Sequence, residues 1–229
     1  MKRREFLVLS AASVGGVLVY SLNRQLTRVS AQDGASQSIR VPLRFFTQSE
    51  ALIVASAASR IFPADDSGPG ANEAGVVIYI DRQLAGPWGR DRHRYTQPPF
   101  DENFQEDFGY QGKATPREIY REALKGLEGF DRLAPSDQDR KLKEIEHTRV
   151  FELLRRNTIE GMFCDPLHGG NADMIGWQLI GFPGPQMSWR DDIDKHFGKA
   201  FRPKPMSLTQ VIPGRKIVPS EDEVDDKKI

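Results

Sequence analysis

The sequence predicts a mainly α-helical protein, with one small helical domain, long irregular loops and an extended, proline-rich C-terminal tail. Two observations support this prediction. Apolar residues recur at helical spacing in several segments that begin with capping residues. No segment shows the strict alternation of apolar and polar residues that is typical of a half-buried strand. The 229 residues, 38% of them hydrophobic, suffice for one domain with a sizeable core.

The first two predicted helices have clear boundaries. A capping box of Thr47 and Glu50 begins the first helix, and Pro63 ends it. Asn72 can cap the second helix, which ends before Gly86. Both helices carry apolar residues on one face, so they are expected to contribute to one core.

Three further helices are predicted in the second half of the chain. Thr115-Pro116-Arg117-Glu118 combines a cap, a proline at the first helical position and a reciprocal glutamate. Another helix is expected to begin at Ser136, and a longer one to run from about Val150 to Phe163. We therefore expect a helical domain over residues 32–184.

The first 31 residues resemble an export signal. Arg3 and Arg4 stand just before Phe6 and Leu7, which is the arrangement of a twin-arginine signal peptide. The apolar run over 7–20 would be roughly 21 Å long as a helix, shorter than the ~30 Å hydrocarbon core of a bilayer. A twin-arginine signal peptide over 1–31 is therefore predicted.

Small residues at Val29-Ser30-Ala31 offer a cleavage site after Ala31, and an uncleaved anchor is the alternative. Residues 32–229 hold 27 basic and 31 acidic residues, with no basic stripe, so nucleic acid is not a predicted partner. The single cysteine, Cys164, excludes an internal disulfide bond.

Two segments are unusually long and irregular for connections inside a domain. One is the aromatic-rich segment 89–113, which with its flank includes Trp88, Tyr95 and Phe100; the other is the tail 185–229. Aromatic residues are enriched in the cores of protein interfaces. Both segments are therefore predicted to dock on a partner, and the alternative is that they fold back over the chain's own helices.

The stretch 160–171 is the candidate for catalysis, since it holds an acid, a thiol, an imidazole and paired glycines. A helix could bring Cys164 and His168 together, but Pro166 interrupts it. No strand precedes Gly169 and Gly170, as a phosphate-binding loop would require. The stretch is therefore predicted to be a structural turn.

This turn is expected to need glycines with positive φ and to position Trp177. Trp177 and Phe182 are expected to anchor in the core. The four histidines are scattered, with no cysteine cluster, haem attachment motif or dinucleotide-binding glycine pattern. No catalytic residue, cofactor or metal is therefore expected in this chain.

The sequence resembles the gluconate 2-dehydrogenase subunit 3 family over roughly residues 44–186, in addition to the export signal. Three groups of short motifs carry the resemblance: 46–47, 61–71 and 81–86; 151–155, 158–163 and 165–166; and 169–171, 176–177 and 181–184. The sequence departs from the family pattern at Cys164 and His168, where small and aromatic residues are more usual.

The resemblance implies a non-catalytic small subunit of a periplasmic FAD-dependent gluconate or sugar dehydrogenase. Its partners would be a large glucose-methanol-choline-type flavoprotein that carries the FAD, a multihaem cytochrome c subunit that carries haem c, and the twin-arginine translocase. Through this complex the chain would associate with the inner membrane. The alternatives are a stand-alone exported enzyme or a periplasmic binding protein that uses the loop 160–171.

Overall fold

The computed structural model describes residues 41–94, 97–101, 109–185 and 204–211, with the single residues 39, 107, 195 and 198. These residues form seven α-helices and no strand, which confirms the mainly α prediction. The helices are α1 (Gln48–Ile61), α2 (Val76–Ala85), α3 (Pro116–Gly126), α4 (Pro135–Glu144), α5 (Arg149–Phe163), α6 (Ile175–Ile180) and α7 (Leu208–Val211). Short 3₁₀ turns lie at Trp88–Arg90, Phe130–Arg132, Pro166–His168 and Ala172–Met174. In the described ranges, no helix is both long and apolar enough to span a bilayer.

The predicted capping boxes are present at both helices for which they were expected. Thr47 and Glu50 bond reciprocally at the start of α1, and Thr115 and Glu118 do the same at the start of α3. Each box satisfies backbone N–H groups that a helix cannot pair internally. These two helix starts are therefore determined locally.

Two helix starts differ from the prediction. The N-cap of α2 is Gly75, in a left-handed conformation with φ of 69°, instead of Asn72. The N–H of Gly75 donates to the carbonyl of Asn72, so the chain makes a turn there before the helix begins. α4 begins at Pro135, one residue before Ser136, because proline needs no hydrogen bond at the first helical position.

The core forms around α2, which packs against α1 and α5. Val76, Ile80 and Leu84 are completely buried along one face of α2. Gly161 of α5 lies against this helix, where a Cβ atom would come 3.1 Å from the ring of Tyr79. The glycine therefore lets the two central helices approach closely.

A buried carboxylate on α2 holds the segment that leads into α1. Asp81 is only 1% exposed. It accepts hydrogen bonds from the backbone N–H groups of Arg44, Phe45 and Phe46, at 2.7, 3.0 and 2.8 Å. Burial of a carboxylate without such donors is costly, and three N–H donors compensate that cost. This segment is therefore fixed to α2 by charge-assisted hydrogen bonds.

Two arginines fix α3 to the same region. Arg117 donates to the carbonyls of Leu84 and Ala85 at 2.6 and 2.8 Å, which satisfies groups at the C-terminal end of α2. Arg121 donates to the carbonyl of Phe45 at 2.7 Å and lies 4.2 Å from the centre of its ring. The first three helices are thus joined by hydrogen bonds as well as by apolar contacts.

The substitution Asp81→Asn is expected to lower the free energy of unfolding by about 2–4 kcal/mol. The amide keeps the size of the side chain but loses its charge, and its NH₂ group then faces backbone donors. Urea unfolding followed by circular dichroism measures the change. Asp139→Asn makes the same chemical change in an exposed ion pair with Arg60 and should leave the midpoint close to wild type. Equal effects of the two substitutions would contradict the role given to Asp81.

Candidate functional site

The turn between α5 and α6 is organised around one buried asparagine. Asn171 is completely buried. Its backbone N–H donates to the carbonyl of Gly161 at 2.8 Å, and its Nδ2 donates to the carbonyl of Cys164 at 2.8 Å. Its Oδ1 accepts from the N–H of Gly176 at 2.8 Å. One side chain therefore connects the end of α5 to the start of α6.

The indole of Trp177 completes this connection. Trp177 is 4% exposed, and its Nε1 donates to the carbonyl of Phe163 at 2.7 Å. The N–H of Cys164 donates to the carbonyl of Glu160 at 2.8 Å. Together with the contacts of Asn171, these bonds satisfy four carbonyls that would otherwise be unpaired at the end of α5. The turn thus acts as the C-terminal cap of this helix.

The glycines of the turn allow close approach of the backbone. Gly169 has a φ of 99°, as predicted, but the prediction of a positive φ was wrong for Gly170. Gly170 is required for a different reason, because a Cβ atom there would lie 2.3 Å from the carbonyl oxygen of Gly161. At Gly176 a Cβ atom would lie 1.9 Å from the carbonyl oxygen of Met162. Packing, in addition to backbone angle, therefore requires glycine here.

Two of the potentially reactive groups of the stretch 160–171, Cys164 and Glu160, lie in structural contacts. The Sγ of Cys164 donates to the carbonyl of Gly161 at 3.6 Å, and burial raises the pKa of this thiol to about 11. A raised pKa disfavours the thiolate that a nucleophile requires. His168 is exposed, and Glu160 accepts a hydrogen bond from the hydroxyl of Tyr79 at 3.1 Å. The geometry favours the structural interpretation of this stretch.

Part of the C-terminal tail lies against the same turn. The carboxylate of Asp165 accepts from the N–H of Leu167 at 3.0 Å and from that of Leu208 at 2.7 Å. The N–H of Met206 donates to the carbonyl of Pro183 at 3.1 Å. Residues 204–211 of the tail are therefore attached to the domain. Docking of the tail 185–229 on a partner stays a prediction.

Phe182 differs from the expectation that it would anchor in the core. Its ring meets that of Trp177 edge to face, with 5.1 Å between centres, yet it is 42% exposed. Gly181, left-handed with φ of 70°, ends α6 and turns the chain toward the surface before Phe182. Ile180 (58% exposed), Met206 (44%) and Leu208 (37%) are also exposed apolar side chains.

The aromatic-rich segment is described only in part. Trp88 is partly buried and packs against the core, and Phe100 is 38% exposed. Tyr95 lies outside the described residues, as do the export-signal residues Arg3, Arg4, Phe6 and Leu7. The structure does not bring Trp88 and Phe100 into the site at Asn171, and their assignment to partner docking stays a prediction.

Arg94 links the two ends of the aromatic-rich segment 89–113. Arg94 donates to Asp91 at 2.7 and 3.0 Å, to the carbonyl of Gly112 at 3.0 Å and to that of Tyr110 at 3.3 Å. The guanidinium groups of Arg94 and Arg149 both lie over the ring of Tyr110, 4.9 and 4.8 Å from its centre. The sequence alone does not predict this arrangement, because its members are separated along the chain.

A cleft of about 340 Å³ lies beside this stack. It is lined by Trp88, Asp91, His93, Arg94, Tyr110, Pro116, Ile119, Arg149, Leu153 and Arg156. In the part of the chain that the structure describes, no group of three or more acidic, histidine or cysteine side chains could hold a metal ion. The cleft is therefore a candidate binding site of apolar and cationic character.

The substitution Trp177→Ala is expected to lower the free energy of unfolding by about 3–5 kcal/mol, because it leaves a cavity and removes the donor to Phe163. Trp177→Phe should have a smaller effect, since it removes the hydrogen bond but keeps most of the apolar contact. His168→Ala, an exposed position of the same turn, is the control and should be neutral. Urea unfolding measures all three, and a neutral Trp177→Ala would contradict the capping role.

The substitution Gly176→Ala is expected to cost about 3 kcal/mol, because the added methyl group collides with the carbonyl of Met162. Gly126→Ala adds the same methyl group in α3, where no atom lies within 4 Å, and should be neutral or slightly stabilising. Thermal unfolding of the two variants distinguishes a specific collision from a general intolerance of alanine.

Comparison with known proteins agrees with the resemblance seen in the sequence. The family model described as gluconate 2-dehydrogenase subunit 3 matches residues 48–184, which is more than half of the chain. No curated protein and no solved structure gives a significant match. The matched range begins with α1 and includes the turn at Asn171. The chain therefore belongs to the gluconate 2-dehydrogenase subunit 3 family.

Proposed function

We propose that this chain is the non-catalytic small subunit of a periplasmic FAD-dependent gluconate or sugar dehydrogenase complex. It escorts the large flavoprotein subunit through twin-arginine export and stabilises it. The family match supports the general assignment to a dehydrogenase complex. The observation that supports a non-catalytic role is that the buried polar side chains of the described residues hold this chain's own structure together.

Each of these buried side chains has an internal partner. Asp81 binds three backbone N–H groups, and Asn171 joins two helices. Gln138 donates to the carbonyl of Phe130, Asn157 to Tyr120, Thr158 to the carbonyl of Leu154, and Ser207 bonds to Thr209. Catalytic groups, in contrast, usually line a cleft and keep hydrogen-bonding capacity for a substrate.

The proposed export route agrees with the short separation between the predicted signal and the start of the folded domain. The twin-arginine pathway transports folded proteins, so its cargo must be folded while the signal is still attached. The folded domain begins close to the predicted signal at 1–31, since the segment 44–46 is bound to Asp81. A folded small subunit bound to the flavoprotein could then supply the signal for both.

The cofactors are assigned to the partners. FAD is carried by the glucose-methanol-choline-type flavoprotein, and haem c by a multihaem cytochrome c subunit. Cys164 and His168 take no part in the chemistry in this proposal, so Cys164→Ser should leave the turnover of the complex, normalised to bound flavin, close to wild type. The complex lies in the periplasm and associates with the inner membrane through its other subunits.

The proposal is tested by changing Arg3 and Arg4 together to Lys in cells that express the whole complex. Twin-arginine recognition requires the arginine pair, so the small subunit and the flavoprotein are both expected to remain in the cytoplasm. Immunoblots and flavin-normalised dehydrogenase activity of periplasmic fractions measure this. Changing Arg24 and Arg28 to Lys makes the same change outside the pair and should permit export. A flavoprotein that reaches the periplasm despite the Arg3 and Arg4 changes would contradict the escort role.

A further inference from the structure

The cleft beside Tyr110 is lined by four apolar side chains, here called its floor, and by three arginines, here called its edge. Its apolar lining comes from Trp88, Pro116, Ile119 and Leu153, which belong to three separate parts of the chain. Leu153 is almost completely buried, so the cleft reaches the core between α3 and α5. A site of this kind can accept an apolar group and orient it through a few polar contacts.

The arginines at the edge differ in their remaining hydrogen-bonding capacity. Arg94 is occupied by Asp91 and by two backbone carbonyls. Arg149 pairs with Glu152 through one terminal nitrogen, and its Nε has no hydrogen-bond partner among the described residues. Arg156 lies 3.9 Å from Glu160, beyond hydrogen-bond distance, and is 45% exposed. Arg156 can therefore bind an additional acceptor.

The charges beside the cleft disfavour an occupant with many negative charges. Asp91, Glu152 and Glu160 lie next to the three arginines and balance their charge. A polyanion such as nucleic acid would be repelled by these carboxylates, whereas a single carboxylate can bind Arg156 alone. Tyr110 stacks on Arg149, so this part of the cleft wall is ordered before an occupant binds.

We propose that this cleft binds a segment of the partner flavoprotein that presents one carboxylate beside an aromatic or aliphatic side chain. The apolar side chain occupies the floor, and the carboxylate binds Arg156 at the edge. This inference rests on the proposed function, since it assigns a specific surface to the association with the flavoprotein. Apolar anchors beside a desolvated charge pair are typical of the centres of protein interfaces.

The test is the affinity of the small subunit for the flavoprotein, measured by biolayer interferometry with purified subunits of the natural pair. Arg156→Glu reverses the charge at the edge and should weaken binding about tenfold. Arg156→Lys keeps the charge and should retain most of the affinity. The wild-type affinity should also fall with added salt more steeply than that of Arg156→Glu.

Arg140→Glu is the matched control, because Arg140 forms a similar exposed ion pair, with Asp137 on α4, and does not line the cleft. Thermal unfolding of each variant verifies that it is folded. An affinity unchanged in Arg156→Glu, or reduced equally in Arg140→Glu, would overturn the assignment of the cleft and leave the proposed function intact. A wild-type chain that does not bind the flavoprotein would contradict both.

Discussion

The buried carboxylate of Asp81 is the interaction on which the arrangement of the first three helices depends. It binds the backbone just before α1, and that backbone in turn contacts Arg121 of α3 through the carbonyl of Phe45. An isolated carboxylate in this position would be unstable, so the carboxylate and the segment 44–46 require each other. Correct docking of the N-terminal segment is therefore linked to formation of the core.

The end of α5 also has backbone groups that need hydrogen-bond partners, and here the partners are neutral. A helix that ends inside a domain leaves carbonyls without partners, and here Asn171 and Trp177 supply donors for three of them. The arrangement requires a left-handed backbone at Asn171, with φ of 46°, which asparagine tolerates better than most residues. Strained geometry of this kind often marks a functional site, and here the Asn171 side chain bonds the carbonyl of Cys164 and the N–H of Gly176.

The two polar networks are built from hydrogen bonds within the chain. Asp81 and Asn171 are buried and bonded internally, whereas Arg156, Phe182 and Met206 have exposed side chains. A subunit that binds another protein needs a stable interior and a surface that can form contacts with its partner. The distribution of polar groups in this chain is consistent with such a division.

The sequence by itself determined the helical class, the capping boxes at Thr47 and Thr115 and the family, because these depend on local patterns and short motifs. The start of α2 and the exposure of Phe182 were decided by tertiary structure, since they depend on how the turns 71–75 and 181–184 direct the chain. The partners of Asp81 and the cleft at Arg156 could not be predicted either. Their members lie 35 or more residues apart in the first case and on four separate segments in the second, so only the packing of the helices brings them together.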